Sequence, residues 1–212
     1  MRLRKRIIAI WTNHDEGNPM KHRRSQSLFF AVAVFVTAVA GLLTPSLSAA
    51  GEKTCPQLLH YSAPRLQDES PQDLCQFSGR VVLVVNTASK CGYTPQYEAL
   101  EALYARYSAR GLAVLGFPSN DFNQEPGNNK AIADFCFNTY AVKFPMFSKT
   151  TVVGPDAHPF YAALRQASGE APRWNFHKFL IDRSGHVVAT FPSAVDPLDA
   201  RVTGQIEKLL GG

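Results

Sequence analysis

No C-x-x-C pair occurs in these 212 residues, and only four cysteines are present, at positions 55, 75, 91 and 136. That absence argues against the dithiol chemistry of a thioredoxin-type oxidase or reductase, and the cysteine and histidine spacings match no zinc site. No uninterrupted apolar run reaches the roughly 18 residues of a membrane span. The longest candidate, residues 28–43, has 16 and is weakened by Thr37 and Gly41. An excess of positive charge is also missing where it would matter. The net charge is +5, but residues 1–50 hold seven of the 22 Lys/Arg and two of the 17 Asp/Glu. Residues 51–212 therefore carry fifteen of each sign, and no nucleic-acid partner is implied.

The first fifty residues read as an export signal rather than as part of a fold. Arg2, Arg4, Lys5 and Arg6 open the chain, and Met20 is an alternative start. Lys21, Arg23 and Arg24 precede the apolar run, which ends in the small residues Ser46, Ser48, Ala49 and Ala50. Cleavage near Ala50 is expected in preference to an uncleaved anchor. The product would be periplasmic or extracellular, without stable membrane association, and no cysteine directly follows the run to carry a lipid. Residues 51–212 suit one compact α/β domain with a sizeable core. Export would let disulfides persist. Cys55 and Cys75 bracket a polar, helix-poor stretch with Pro56, Pro64 and Pro71; they read as a structural bridge, two unpaired thiols being the alternative.

The centre of the chain is Val81-Val-Leu-Val-Val-Asn-Thr-Ala-Ser-Lys-Cys-Gly-Tyr-Thr94. Five successive apolar residues from Val81 predict a strand buried on both faces, as in the middle of a helix-covered sheet. Beyond a loop, Tyr97, Leu100, Leu103, Tyr104 and Tyr107 recur at helical spacing. Thr94 or Ser89 is a candidate cap, and Pro95 suits the first turn. Cys91 thus lies in a strand-to-helix turn. The thiolate is the reactive form of cysteine, and an ordinary thiol with a pKa of about 8.5 is only a few per cent ionised near pH 7. A helix end and the neighbouring Lys90 favour an anion, but an exposed helix end gives about 0.3–1 kcal/mol. A two-unit shift needs about 2.7 kcal/mol, so further donors must converge on the sulfur. Taken alone, Cys91 reads equally well as a small buried apolar residue.

Farther on, Leu112-Ala-Val-Leu-Gly-Phe117 predicts a second buried strand after Gly111, parallel to the first through a right-handed crossover. The polar stretch 118–129 follows at the carboxyl end of that strand, where ligand and catalytic loops gather in an open α/β sheet. It should face the Cys91 loop. A helix over 129–140 carries Ile132, Phe135 and Cys136, a strand is expected within 144–153, and a short helix over 158–167. Residues 176–182 and 186–191, joined by Arg183-Ser-Gly185, predict an antiparallel hairpin, and a last helix runs over 197–210. The class is α/β, a central mixed sheet with helices on both faces.

These motifs together resemble the glutathione peroxidase family, in its cysteine-containing, bacterial-type form, over residues 75–210. They are Asn86-Thr-Ala-Ser-Lys-Cys-Gly-Tyr-Thr94, Phe117-Pro-Ser-Asn-Asp-Phe122 running into Gln124-Glu-Pro-Gly127, and Trp174-Asn-Phe-His-Lys-Phe179. The resemblance implies a thioredoxin-like fold and reduction of hydrogen peroxide and organic hydroperoxides by a thiol reductant, glutathione or a thioredoxin-like protein. It implies no cofactor or metal. Cys91 would be the peroxidatic residue, with Gln124, Trp174 and Asn175 as the polar groups around it. Their N–H groups can stabilise a sulfur anion and orient a peroxide without titrating. Cys136 falls near the family's resolving position, where a second thiol condenses with the oxidised first; as a core helix residue it needs no such role. The chain departs from the family pattern at Ser119 (commonly Cys), at Asp121 (commonly Gln) and in having one residue, Asn123, between Phe122 and Gln124 instead of two. The short 166–174 segment lacks an insertion used in subunit contacts by oligomeric relatives, so a monomer is expected. Two other readings fit the chain: an exported thioredoxin-like binding module without turnover, and a peroxiredoxin, whose threonine and arginine partners are not recognisable around Cys91.

Overall fold

A computed structural model describes residues 54–211; the export segment 1–50, with Met20, lies outside the described residues. The elements are β1 (Ser62–Pro64), β2 (Pro71–Asp73), β3 (Val81–Thr87), α1 (Gln96–Tyr107), β4 (Leu112–Pro118), α2 (Asn129–Tyr140), α3 (Pro159–Ser168), β5 (Lys178–Ile181), β6 (Val187–Phe191) and α4 (Ala200–Leu210). Strands β4, β3, β5 and β6 form one sheet in that order, while β1 and β2 make a separate antiparallel pair. β3 runs parallel to β4, with Val81 opposite Leu112 and Thr87 opposite Pro118. It runs antiparallel to β5, with Val85 opposite Lys178.

Every residue of β3 and of β4 is buried, which explains their unbroken apolar runs: both faces are covered. Alternate side chains divide between two cores. Val81, Leu83 and Val85 pack with Leu100, Leu103 and Tyr107 of α1, Ile132 and Cys136 of α2, and Val202 and Ile206 of α4. Val82 and Val84 face the opposite way, to Phe160, Tyr161 and Leu164 of α3 and to Leu59, Leu74 and Phe77. At about 25 cal/mol per Å² of apolar surface, each such large side chain contributes roughly 1.5–3 kcal/mol.

Residues 144–153 do not form the expected strand; their strand-like pairing is limited to isolated bridges, Met146 with Gly116 of β4 and Phe147 with Arg65 just after β1. Pro145 has no N–H to donate. The remaining amides scatter: Ser148 to the Pro64 carbonyl, Thr150 to that of Pro118, and Val152 and Val153 to the Asp121 carboxylate. Gly116 is needed where this segment crosses, because a Cβ there would lie 2.2 Å from the Met146 sulfur. The 54–76 segment contains the β1/β2 hairpin and is closed by a disulfide between Cys55 and Cys75, whose Cα atoms are 5.3 Å apart. Residues Leu59, Ala63 and Leu74 beneath it join the α3-side core.

A crosslink closing a loop of this size stabilises by about 3 kcal/mol through the unfolded chain. The Cys55→Ser/Cys75→Ser double variant is therefore expected to melt roughly 6–12 °C lower. Calorimetry measures the shift, and mass mapping of non-reduced native protein checks the linkage. Recovering both residues as alkylated free thiols would dispose of the bridge.

Candidate active site

Three loops meet at one edge of the sheet: the one leaving β3, the one leaving β4, and the one entering β5. Because β5 is antiparallel to β3, its first residue lies beside Val85 at the end of β3, so the chain just before it arrives where Cys91 leaves.

Cys91 is 7% exposed and lies within a tight turn. Its N–H donates to Thr94 Oγ1 at 3.0 Å, and that hydroxyl donates to the Ala88 carbonyl at 2.9 Å. The Thr94 N–H returns to the Cys91 carbonyl. The turn leaves the Tyr93 N–H pointing at the sulfur, 3.4 Å from Sγ. Among the described residues this amide is the donor in hydrogen-bond geometry to Sγ. Neither Thr94 nor Ser89 caps α1, whose N-cap position is Pro95 with no side-chain bond. Thr94 is spent on folding the Cys91 turn, and Ser89 is claimed by the second loop.

That second loop is fastened to the first by a buried carboxylate. Glu125, 1% exposed, accepts from both the N–H and the hydroxyl of Ser89 at 2.8 Å. Its own N–H donates to Asn120 Oδ1, and the Lys90 N–H donates to the Gln124 carbonyl at 3.0 Å. Burial pushes the Glu125 carboxyl up from its ordinary range, with the Ser89 bonds, Lys149 and Lys90 opposing. The short spacing at Asn123 is accommodated by a left-handed residue, φ 58°, a conformation that asparagine tolerates.

From the third loop, Asn175 is wholly buried and donates through Nδ2 to Gln124 Oε1 at 3.1 Å. One of its two side-chain N–H groups is thus given to Gln124, neither forms a hydrogen bond to the sulfur among the described residues, and its Oδ1 is buried without a partner. Trp174 is 40% exposed, with its ring against Phe122, centroids 5.4 Å apart. The structure brings Gln124 and Asn175 into direct contact and ties Gln124 to the Cys91 loop through Lys90. Asn86 holds the third loop down: its Nδ2 donates to the Trp174 carbonyl, its Oδ1 accepts from the His177 N–H, and its carbonyl accepts from the Phe176 N–H.

Cys136 is buried on α2 in the same apolar cluster as Cys91, Ala88 and Tyr97. Burial pushes its thiol up to about 11; a hydrogen bond with Tyr97 works against this and the Glu125 charge adds to it. A cleft of about 370 Å³ opens beside it, lined by Leu66, Ala133, Phe137 and Met146 among others. Among the described residues, the one grouping close enough to hold a metal is Cys55, His60 and Cys75, and its two sulfurs are bonded to each other.

Sequence reasoning passed over Thr94 except as a cap, and Glu125, Asn86 and Lys178 except as motif letters. Only their joint burial as polar residues marks them, and burial of that kind is not visible in a local pattern.

The architecture agrees with what this chain is similar to. The family model for glutathione peroxidase matches residues 58–165. A glutathione peroxidase homolog, BsaA, of Halalkalibacterium halodurans is 46% identical over 72% of this chain and 99% of its own length. The hydroperoxy fatty acid reductase gpx1 of Synechocystis is 48% identical over 71% of this chain and 94% of its own. Among solved structures, the apo form of Trgpx superposes with a TM-score of 0.59 at 35% identity, covering 73% of this chain and 95% of that one. A thioredoxin-family protein of Chlorobium tepidum, 16% identical with a TM-score of 0.55 over 71% of this chain and 93% of that one, shares the fold alone. With a thioredoxin-like fold, a family match over half its length and relatives at 46–48% identity across nearly their whole lengths, the chain belongs to the glutathione peroxidase family.

Proposed function

We propose that the protein reduces hydrogen peroxide and organic hydroperoxides to water or alcohols, with Cys91 as the peroxidatic residue and a thiol as reductant. The observation that carries this is the Thr94-closed turn that aims the Tyr93 amide at the Cys91 sulfur beside the Gln124–Asn175 pair. Family membership supports it. So does the set of relatives, which includes a glutathione peroxidase-like peroxiredoxin of Schizosaccharomyces pombe, 48% identical over 64% of this chain and 89% of its own length. No observation favours a binding module without turnover.

In the reaction the Cys91 thiolate attacks one peroxide oxygen in line with the O–O bond. The S–O bond forms as the O–O bond breaks, the departing oxygen takes the electron pair and a proton, and Cys91 is left as the sulfenic acid. The Tyr93 N–H steadies the anion before attack. Trp174 and Gln124 carry N–H groups at the mouth of the site, and the unpartnered Asn175 Oδ1 is an acceptor for the hydroperoxide O–H. In the second stage a thiol attacks the sulfenic sulfur, an S–S bond forms and water leaves; a dithiol protein then exchanges into that disulfide and becomes oxidised itself.

Cys136 is our candidate for the resolving thiol, sharing the Cys91 cluster and the adjoining cleft. Two cysteines bridge only with Cα atoms within about 7 Å, so this step requires α2 to present Cys136 within that reach of Cys91. A second reading has its own observation: a thiol that is buried, helical and pushed up to about 11 is poorly placed to attack, which favours one-cysteine turnover with glutathione. We place the enzyme outside the cytoplasm, in peroxide defence, on the leader-like residues 1–50 and the Cys55–Cys75 bridge, of a kind that persists in oxidising compartments, and as a monomer on the short 166–174 segment.

Trp174→Phe and Gln124→Ala are each expected to slow peroxide oxidation of Cys91 by about one to three orders of magnitude, the scale of a lost anion-stabilising donor. Stopped-flow rates at unchanged melting temperature provide the measurement; a parent-like Gln124→Ala would remove that residue from the chemistry. For resolution, one equivalent of peroxide is expected to yield a Cys91–Cys136 disulfide by mass spectrometry. Should Cys136→Ser cycle with thioredoxin as fast as the parent, the one-cysteine scheme replaces it.

A further inference from the structure

Lys178 is wholly buried at the start of β5, between Val85 on β3 and Phe191 on β6. Among the described residues no carboxylate lies within ion-pair distance of its ammonium. Its Nζ donates instead to two neutral acceptors, Gln96 Oε1 and the Phe176 carbonyl, both at 2.7 Å. Burial pulls this ammonium down to about 7, with Asp196, on the loop before α4, opposing. An unpaired buried charge is an expensive way to fill a core position that a hydrocarbon would fill more cheaply, so what it grips is informative.

Phe176 is the residue after Asn175, and its backbone is left-handed, φ 64°. A bulky aromatic residue adopts that conformation only where its surroundings impose it. Its N–H is taken by the Asn86 carbonyl at 2.6 Å and its carbonyl by Lys178. Its ring lies edge-on to Tyr97, centroids 5.4 Å apart. Gln96, the other acceptor, is the first residue of α1, the helix that follows the Cys91 turn, and its Nε2 donates to the Ser193 carbonyl at 2.7 Å. A single run of hydrogen bonds, from Ser193 through Gln96 and Lys178 to Phe176, therefore couples the helix behind Cys91 to the turn that presents Trp174 and Asn175.

We propose that Lys178 is a positioning residue for peroxide reduction. By holding the Phe176 carbonyl and the Gln96 side chain together, it keeps the turn left-handed, so that Asn175 stays on Gln124 and Trp174 stays on Phe122. This rests on the reading of Cys91 as the peroxide-reducing thiol. The Lys178 ammonium donates to Gln96 and Phe176 and not to the Cys91 sulfur.

The test uses the full chain with Trp11→Phe, which leaves Trp174 as the single tryptophan. Lys178→Met retains an unbranched side chain without the ammonium; it leaves the Gln96 and Phe176 acceptors unpaired and is expected to fold with a melting temperature lowered by a few degrees, the cost of buried acceptors left without a donor. Oxidation of Cys91 by hydrogen peroxide is expected to slow about tenfold or more, the consequence of small misplacements at a site. Trp174 emission in the reduced, folded protein is expected to shift as the ring leaves Phe122, a signature that a purely stabilising lysine would not produce. A folded Lys178→Met with either a parent-like rate or parent-like emission overturns the proposal. If that variant does not fold, Gln96→Met removes one acceptor of the same clamp and is judged by the same two readings. A parent that fails to react with peroxide would instead refute the role of Cys91, and the emission shift would then decide the clamp by itself.

Discussion

A strand buried on both faces and paired on both edges is the constraint from which this site follows. β3 has no solvent-facing side chain, and its backbone groups must be satisfied by neighbours on either side. A parallel partner, β4, and an antiparallel one, β5, supply them. The consequence is directional. A parallel neighbour ends where β3 ends, and an antiparallel neighbour begins there, so the exits of β3 and β4 and the entry of β5 share one edge. Cys91, Gln124 and Trp174-Asn175, separated by up to 84 positions in the chain, are delivered together by strand direction alone.

Holding three irregular loops at a buried edge raises the second problem, that of their unpaired polar groups. The chain meets it with side chains that act as backbone substitutes. Thr94 closes the Cys91 turn, Glu125 takes the Ser89 amide and hydroxyl, Asn86 binds the Trp174–His177 backbone at three points, and Lys178 takes the Phe176 carbonyl. Each is buried. The charged members raise the price of getting the fold wrong, since a carboxylate or ammonium left unpaired in an apolar core is strongly destabilising. This shell fixes the backbone around the Cys91 sulfur, and a preorganised shell is what transition-state stabilisation requires.

Local pattern was a good guide wherever one face or both faces of an element met the core. The apolar runs at Val81 and Leu112 are β3 and β4, and the helical spacing after Pro95 is α1. Residues 129–140 coincide with α2. Pattern failed where an apolar stretch owed its burial to crossing the sheet rather than joining it. Residues 144–153 have strand-like composition, but Pro145 breaks the donor series and the other amides find partners scattered over α1, β1, β4, α2 and the loop at Asp121. The β1/β2 hairpin escaped notice for the opposite reason: three-residue strands carrying Pro64 and Pro71 have too little alternation to register.

From the sequence by itself came the α/β order, the Cys91 loop, the facing loop after β4 and the chemical types gathered there, because runs, periods and turn residues are properties of neighbours along the chain. It also singled out Gln124, Trp174 and Asn175, through motif resemblance. Only the tertiary structure decided what these groups bind. Asn175 gives its N–H to Gln124, Thr94 folds the cysteine turn instead of capping a helix, and Glu125 and Lys178 serve as buried clamps. Most of those partners lie between 36 and 97 positions apart. Which of them meet depends on strand direction and on which face of the sheet each loop crosses, and no spacing within a single segment records either.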